Sequence, residues 1–112
     1  MKHPRPNRRV DLEDPTRVAD NAGGYVETWV SLGTLWADIQ PRTGRETVSS
    51  AAPVSAVRYR IIVRGAPVGD PARPKPGQRF RDGNRLFHIR AVTEYDPRAE
   101  FLTCFADEEV VA

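Results

Sequence analysis

Residues that carry chemistry are scarce in this sequence. One cysteine, Cys104, and two histidines, His3 and His88, stand among 112 residues. A lone cysteine closes no internal disulfide, and its setting, Phe101-Leu102-Thr103-Cys104-Phe105, reads as a packed strand, so a structural thiol is expected. Zinc needs several convergent ligands at fixed spacing, and no such spacing occurs, so no metal site is expected. The Gly-x-Ser-x-Gly elbow, the phosphate-binding glycine loop and the dinucleotide fingerprint are all missing, which removes the usual signs of acyl and nucleotide chemistry. Carboxylates come in local runs, Asp11, Glu13 and Asp14, then Asp107, Glu108 and Glu109. Such runs read as solvated surface rather than as a pair fixed across a cleft. His88 lies on the strand face opposite Phe87 and Ile89, and a rim or interface histidine is the better reading for a ring with neither an orienting partner nor a nucleophile in view. No catalytic residue and no cofactor are expected, and an enzyme is the least favoured class.

Long apolar runs are missing too. None approaches the roughly 20 residues that span a bilayer, and Met1 to Arg9 lacks the apolar stretch of a signal peptide. The expectation is a protein assembled in the cytoplasm with no membrane partner.

What is present favours strands. Ten prolines and eight glycines argue against long helices, because proline removes a backbone donor and clashes with the preceding turn. Apolar residues at 39% and charged residues at 29% are ordinary for one globular domain. The net charge of +2 and pI near 9.0 are too weakly basic to name a partner. Residues 1–9, basic and holding Pro4 and Pro6, are expected to form an arm that docks on a partner, with a single domain over 10–112.

Within that domain, Val10 and Leu12 predict a short strand closed by Asp14-Pro15. Turn formers at 20–24 precede a strand over 25–31, and Gly33 is expected to divide it from another over 34–40. In the latter, Leu35, Ala37 and Ile39 face one way and Trp36, Asp38 and Gln40 the other, the period-two pattern of a half-buried strand. Residues 41–53 hold few large apolar groups and read as a long exposed loop, which is uncommon in a compact domain unless it has a task. The clearest strand covers 54–64, with Val57, Tyr59, Ile61 and Val63 on one face and Arg58, Arg60, Ile62 and Arg64 on the other. Residues 65–77 read as an irregular proline-rich connection. Asp82-Gly83 marks a tight hairpin turn, with Phe80, Phe87, Ile89 and Ala91 inward. A second hairpin turns near Asp96-Pro97-Arg98 and returns through Phe101 to Phe105, leaving a short tail from Ala106. The sum is an all-β fold, a small barrel or sandwich of six or seven strands with long loops.

The arginines are the main candidates for function. Arg58, Arg60 and Arg64 share a strand face, and Arg42 and Arg45 lie in the long loop, an arrangement suited to DNA phosphates or to acidic patches of a neighbouring subunit. The competing reading is a simply solvated polar face.

The succession Gly23-Gly24, Glu27-Thr28-Trp29, Thr34-Leu35-Trp36-Ala37, Thr43-Gly44-Arg45-Glu46, Arg58-Tyr59-Arg60 and Asp82-Gly83-Asn84-Arg85-Leu86-Phe87-His88-Ile89 resembles the phage head-tail joining family. That family includes the head-completion or stopper proteins of tailed phages and gene transfer agents. The likeness runs from about Val10 to Cys104. It departs after Arg60, where 61–76 is richer in apolar residues and proline. The resemblance implies a structural connector subunit located at the head-tail interface of a particle. It implies a homo-oligomeric ring of six or twelve copies, set between portal or adaptor proteins and a tail terminator or tail tube protein. It further implies that a loop retains packaged double-stranded DNA without reading its sequence. Carried onto this chain, the channel loop is Arg42, Thr43, Gly44, Arg45 and Glu46, and Arg58, Arg60 and Arg64 form a cationic or interface face. A ring multiplies a small charge per subunit, so a weakly basic chain still lines a cationic pore. The alternative class is a free, sequence-independent nucleic-acid-binding β-barrel, which would show aromatics for base stacking beside the arginines.

Overall fold

The computed structural model describes residues 3–42 and 57–109. Among these, six antiparallel strands close into a barrel in the order β1-β2-β3-β6-β5-β4. In chain order they are β1 (Arg8–Ala19), β2 (Tyr25–Pro41), β3 (Val57–Arg64), β4 (Arg79–Asp82), β5 (Arg85–Glu94) and β6 (Phe101–Glu108). Of the barrel or sandwich expected from the alternating patterns, a closed barrel of six strands is what forms.

Alternation builds the core. Val10 and Leu12, Ala37, Ile61 and Val63, Phe80, Phe87 and Ile89, and Leu102, Cys104 and Ala106 all turn inward and are buried. Leu35, Ile39, Tyr59 and Val92 pack at the margin of this cluster. A fully buried side chain of the size of Phe80 or Phe87 contributes about 1.5–3 kcal/mol by leaving water.

Two bulges change what the sequence predicts. Asp14-Pro15 does not end β1, and Gly33 does not divide β2. Leu12 pairs with Gly33 and Glu13 with Ser31, so Leu32 is an extra residue in one unbroken strand. Gly33 takes φ +138 at this point, in the region where a side chain is strained. The second bulge inserts Arg90, because Ile89 pairs with Ala106 and Ala91 with Phe105. Parity flips after it, so Ala91 is exposed and Val92 turns inward, the reverse of the expected order. The tail expected from Ala106 instead continues β6 to Glu108. The β4–β5 turn has Gly83 at φ +63, as a hairpin with glycine at its first central position requires.

Strand directions sort the connections between the two barrel ends. Segment 43–56, the β4–β5 turn and the end of β6 share one end. The 65–78 connection and the β5–β6 turn share the other. Beyond this second end, residues 14–19 and 25–31 continue as a two-stranded ribbon, since β1 pairs with β4 only at Asp11–Glu13 and β2 with β3 only at Ala37–Pro41. At the ribbon root, the Glu13 carboxylate accepts from Arg79 Nε at 2.7 Å and meets Arg81 Nε at 3.2 Å. The Arg79 guanidinium lies 4.0 Å over the Trp29 ring.

Residues 3–7 lie across the outer wall of β2 and β3. Asn7 N donates to Ala37 O at 3.1 Å, Arg5 N donates to the Asp38 carboxylate at 3.0 Å, and His3 meets Phe101 edge-on at 5.9 Å. Pro4 in this strap is buried, and Ile62 and Thr103, which point outward by strand parity, are buried as well.

Candidate functional site

At the end of the barrel that bears segment 43–56, the chain leaves β2 through Arg42. Arg42 N donates to Arg58 O at 3.0 Å, which extends the β2–β3 pairing by one step. From there the Arg42 side chain crosses the outer wall and places its guanidinium 5.0 Å over the Phe105 ring on β6. An arginine over an aromatic face is held by about 0.5–2 kcal/mol, more as the pair is desolvated.

Two further arginines converge on the same wall. Arg90 Nε donates to Asp107 Oδ2 at 3.0 Å, and Arg58 Nε lies 3.8 Å from Asp107 Oδ1. Together with Phe105 these residues line an open cleft of about 380 Å³. Three guanidinium groups and the Asp107 carboxylate line this cleft where β2 ends and β3 begins. Such a surface suits polyanion phosphates, because guanidinium is permanently charged and presents paired donors. The bulge at Arg90 carries that side chain to Asp107, the re-aiming for which bulges are known.

The predicted arginine face divides in the structure. Arg58 joins the cleft, and Arg60 is exposed between the two ends of β3. Arg64 lies at the opposite barrel end, its guanidinium 5.7 Å over Phe101. Of the predicted channel loop, Arg42 is placed at the cleft, while Thr43, Gly44, Arg45 and Glu46 lie outside the described residues. Sequence reading missed Arg90, Asp107 and Phe105, which come from other strands. The available signal was the outward parity of Arg90 after Ile89.

Beside the cleft a separate cluster braces the same barrel end. Arg85 donates from Nε to Glu108 Oε2 at 2.8 Å and from a terminal nitrogen to Oε1 at 3.1 Å, and it reaches the Tyr59 hydroxyl at 3.2 Å. The hydrogen bonds from Arg85 hold the Glu108 carboxyl below the usual glutamate range, and Glu108 in turn raises Arg85. Burial, followed by the nearby Glu108 charge, raises Tyr59. The structure keeps His88 on the outer wall, where Nε2 lies 2.7 Å from Glu109 Oε1 and the ring meets Trp29 edge-on at 5.9 Å. Burial pushes the Cys104 thiol up to about 12, so it stays protonated and inert. Among the described residues no group of three or more His, Cys, Asp or Glu side chains is placed to hold a metal.

Comparison with known proteins follows this geometry. The sequence model of the family described as phage head completion protein matches residues 1–109. A chain in the virion of a native gene transfer agent particle is 46% identical over 98% of this chain and 100% of its own, with a TM-score of 0.81. The solution structure of protein SF1141 from Shigella flexneri 2a shares the fold at 22% identity, covering 96% of each chain with a TM-score of 0.69. No curated protein matches the sequence significantly.

Proposed function

The chain belongs to the phage head completion protein family, and from that premise we propose how it works as a structural head-tail connector subunit in a phage-like particle. The observation that carries the role is the 46% identity, across nearly the whole length of both chains, to a protein of an assembled virion. Its work is assembly with other particle proteins rather than turnover.

Copies of the barrel form a ring around a passage for double-stranded DNA, between portal or adaptor proteins on one side and a tail terminator or tail tube protein on the other. The end bearing segment 43–56 faces the passage. Arg42, Arg58 and Arg90 supply a cationic foot there, and Arg45 adds a further charge in the segment itself. Contacts of this kind hold phosphates without reading bases, so retention is independent of sequence. A free single-strand-binding barrel is less favoured, because base stacking needs aromatics beside the cations. The cleft's one aromatic, Phe105, is half-buried with the Arg42 guanidinium over its ring, and the most exposed aromatics among the described residues, Tyr25 and Trp36, lie on β2 away from the cleft.

The test is a particle assembled with Arg42→Glu and Arg45→Glu together. Particles are expected to form and to contain the chain, while the fraction holding nuclease-protected DNA falls. Normal filling of particles that contain the double variant overturns the channel assignment.

A further inference from the structure

The Asp14 carboxylate at the base of the ribbon accepts from Gln78 Nε2 at 2.9 Å, and beyond it the strands 15–19 and 25–30 pair only with each other. A two-stranded ribbon with both faces in water is marginal alone, and one face of this one is built for contact. Thr16 pairs with Thr28 and Val18 with Val26, while Asp14 pairs with Val30. The Thr16 and Thr28 hydroxyls bond each other at 2.8 Å across the ribbon. Val18, Val26 and Val30 are 53%, 51% and 47% exposed. Such an exposed β-branched strip has the character of a contact surface, and among the described residues these valines stay about half exposed.

A second apolar surface lies on the barrel wall. The strap at residues 3–7 and β2 enclose a groove of about 500 Å³ lined by Pro4, Pro6, Leu35, Trp36 and Phe101, with Arg64 at its margin. Trp36 is 58% exposed there.

Strip and groove cannot meet within one molecule. Both are carried by β2, and the ten residue steps from Val26 to Trp36 span about 30 Å of paired strand at roughly 3.3 Å per residue. Charge complements shape. The strip face of the ribbon carries Asp14, with Asp20 at the tip, whereas Arg9 of β1, paired across from Trp36, and Arg64 flank the groove. Two different matching patches on one chain are what a head-to-tail contact requires, and rotational closure of that contact gives a ring.

We propose that the β1–β2 ribbon of each subunit docks its valine strip in the Trp36 groove of the next copy of this chain. This rests on the ring reading given above and names the contact that closes the ring.

Particles assembled from the full chain with Val18→Cys and Thr34→Cys, treated with a short bis-maleimide, test it. Cys104 is buried and does not compete. The double variant is expected to give a ladder of crosslinked chains extending past the dimer, while each single variant gives monomer. Adding Val26→Glu is expected to abolish the ladder while leaving the circular dichroism spectrum of the purified chain unchanged. Particles that contain the chain but give no ladder, or dimers from Val18→Cys alone, overturn this contact and leave the connector role standing. Particles assembled with the unaltered chain that nonetheless lack it overturn the connector role itself.

Discussion

Removing the Glu13 carboxylate leaves the Arg79 guanidinium buried at the root of the ribbon without its 2.7 Å acceptor. Breaking a buried pair from one side costs about 3–5 kcal/mol, so Glu13→Ala is expected to lower the urea midpoint of unfolding substantially. Glu13→Gln, which keeps an acceptor oxygen, is expected to lose less. The Arg85 and Glu108 pair gives a pH signature. The Glu108 carboxyl is lowered in the folded chain, so its contribution is complete above the ordinary glutamate range and is lost as pH falls through the lowered value. Arg85→Met is therefore expected to be less stable at neutral pH and to lose less on acidification, in urea titrations at pH 7 and pH 3. Gly65 is a third sensitive position. A Cβ there would stand 2.2 Å from Ala99 O, and Gly65 N donates to Glu100 O at 2.7 Å. Backbone on both sides leaves little room to yield, so Gly65→Ala is expected to cost about 1–3 kcal/mol in thermal unfolding.

At the scale of elements, the strands that wrap the core were legible because their period-two pattern survives intact. Tyr59, Ile61 and Val63 in β3, and Phe80 and Phe87 across the β4–β5 turn, lie inward as their spacing requires. The lengths of β1 and β2 were not legible. Asp14-Pro15 and Gly33 are strong local breakers, but both fall where the sheet tolerates them. Pro15 lies beyond the last β4 pairing, where β1 has a neighbouring strand on one side only. Gly33 absorbs the extra Leu32 in a bulge. The cleft was half legible for a related reason. Arg42 and Arg58 stood out by charge, whereas Arg90 depends on a bulge that only pairing with β6 defines. Replacing residues 18–26 by a tight turn tests the independence of the ribbon. The shortened chain is expected to keep the thermal midpoint of the barrel, because residues 16–28 bond only within the ribbon, while failing to enter particles.

For the molecule as a whole, the proposed division of tasks, phosphate contact at one barrel end and contact between copies through the ribbon at the other, is separable by variants. Loss of Arg42 is expected to weaken DNA binding by assembled rings alike for every sequence tested, and to reduce the slope of log affinity against log salt by about 1 for each phosphate contact removed per site. Val26→Glu is expected to act on assembly alone.

β2 joins these ends without a break. Its 17 residues run from the ribbon tip to the foot of segment 43–56, and a paired strand resists both stretching and shortening. Tension applied at Tyr25 is thus delivered to Pro41 with little slack, and Gly33, about midway, is where the rod has its one compliant joint.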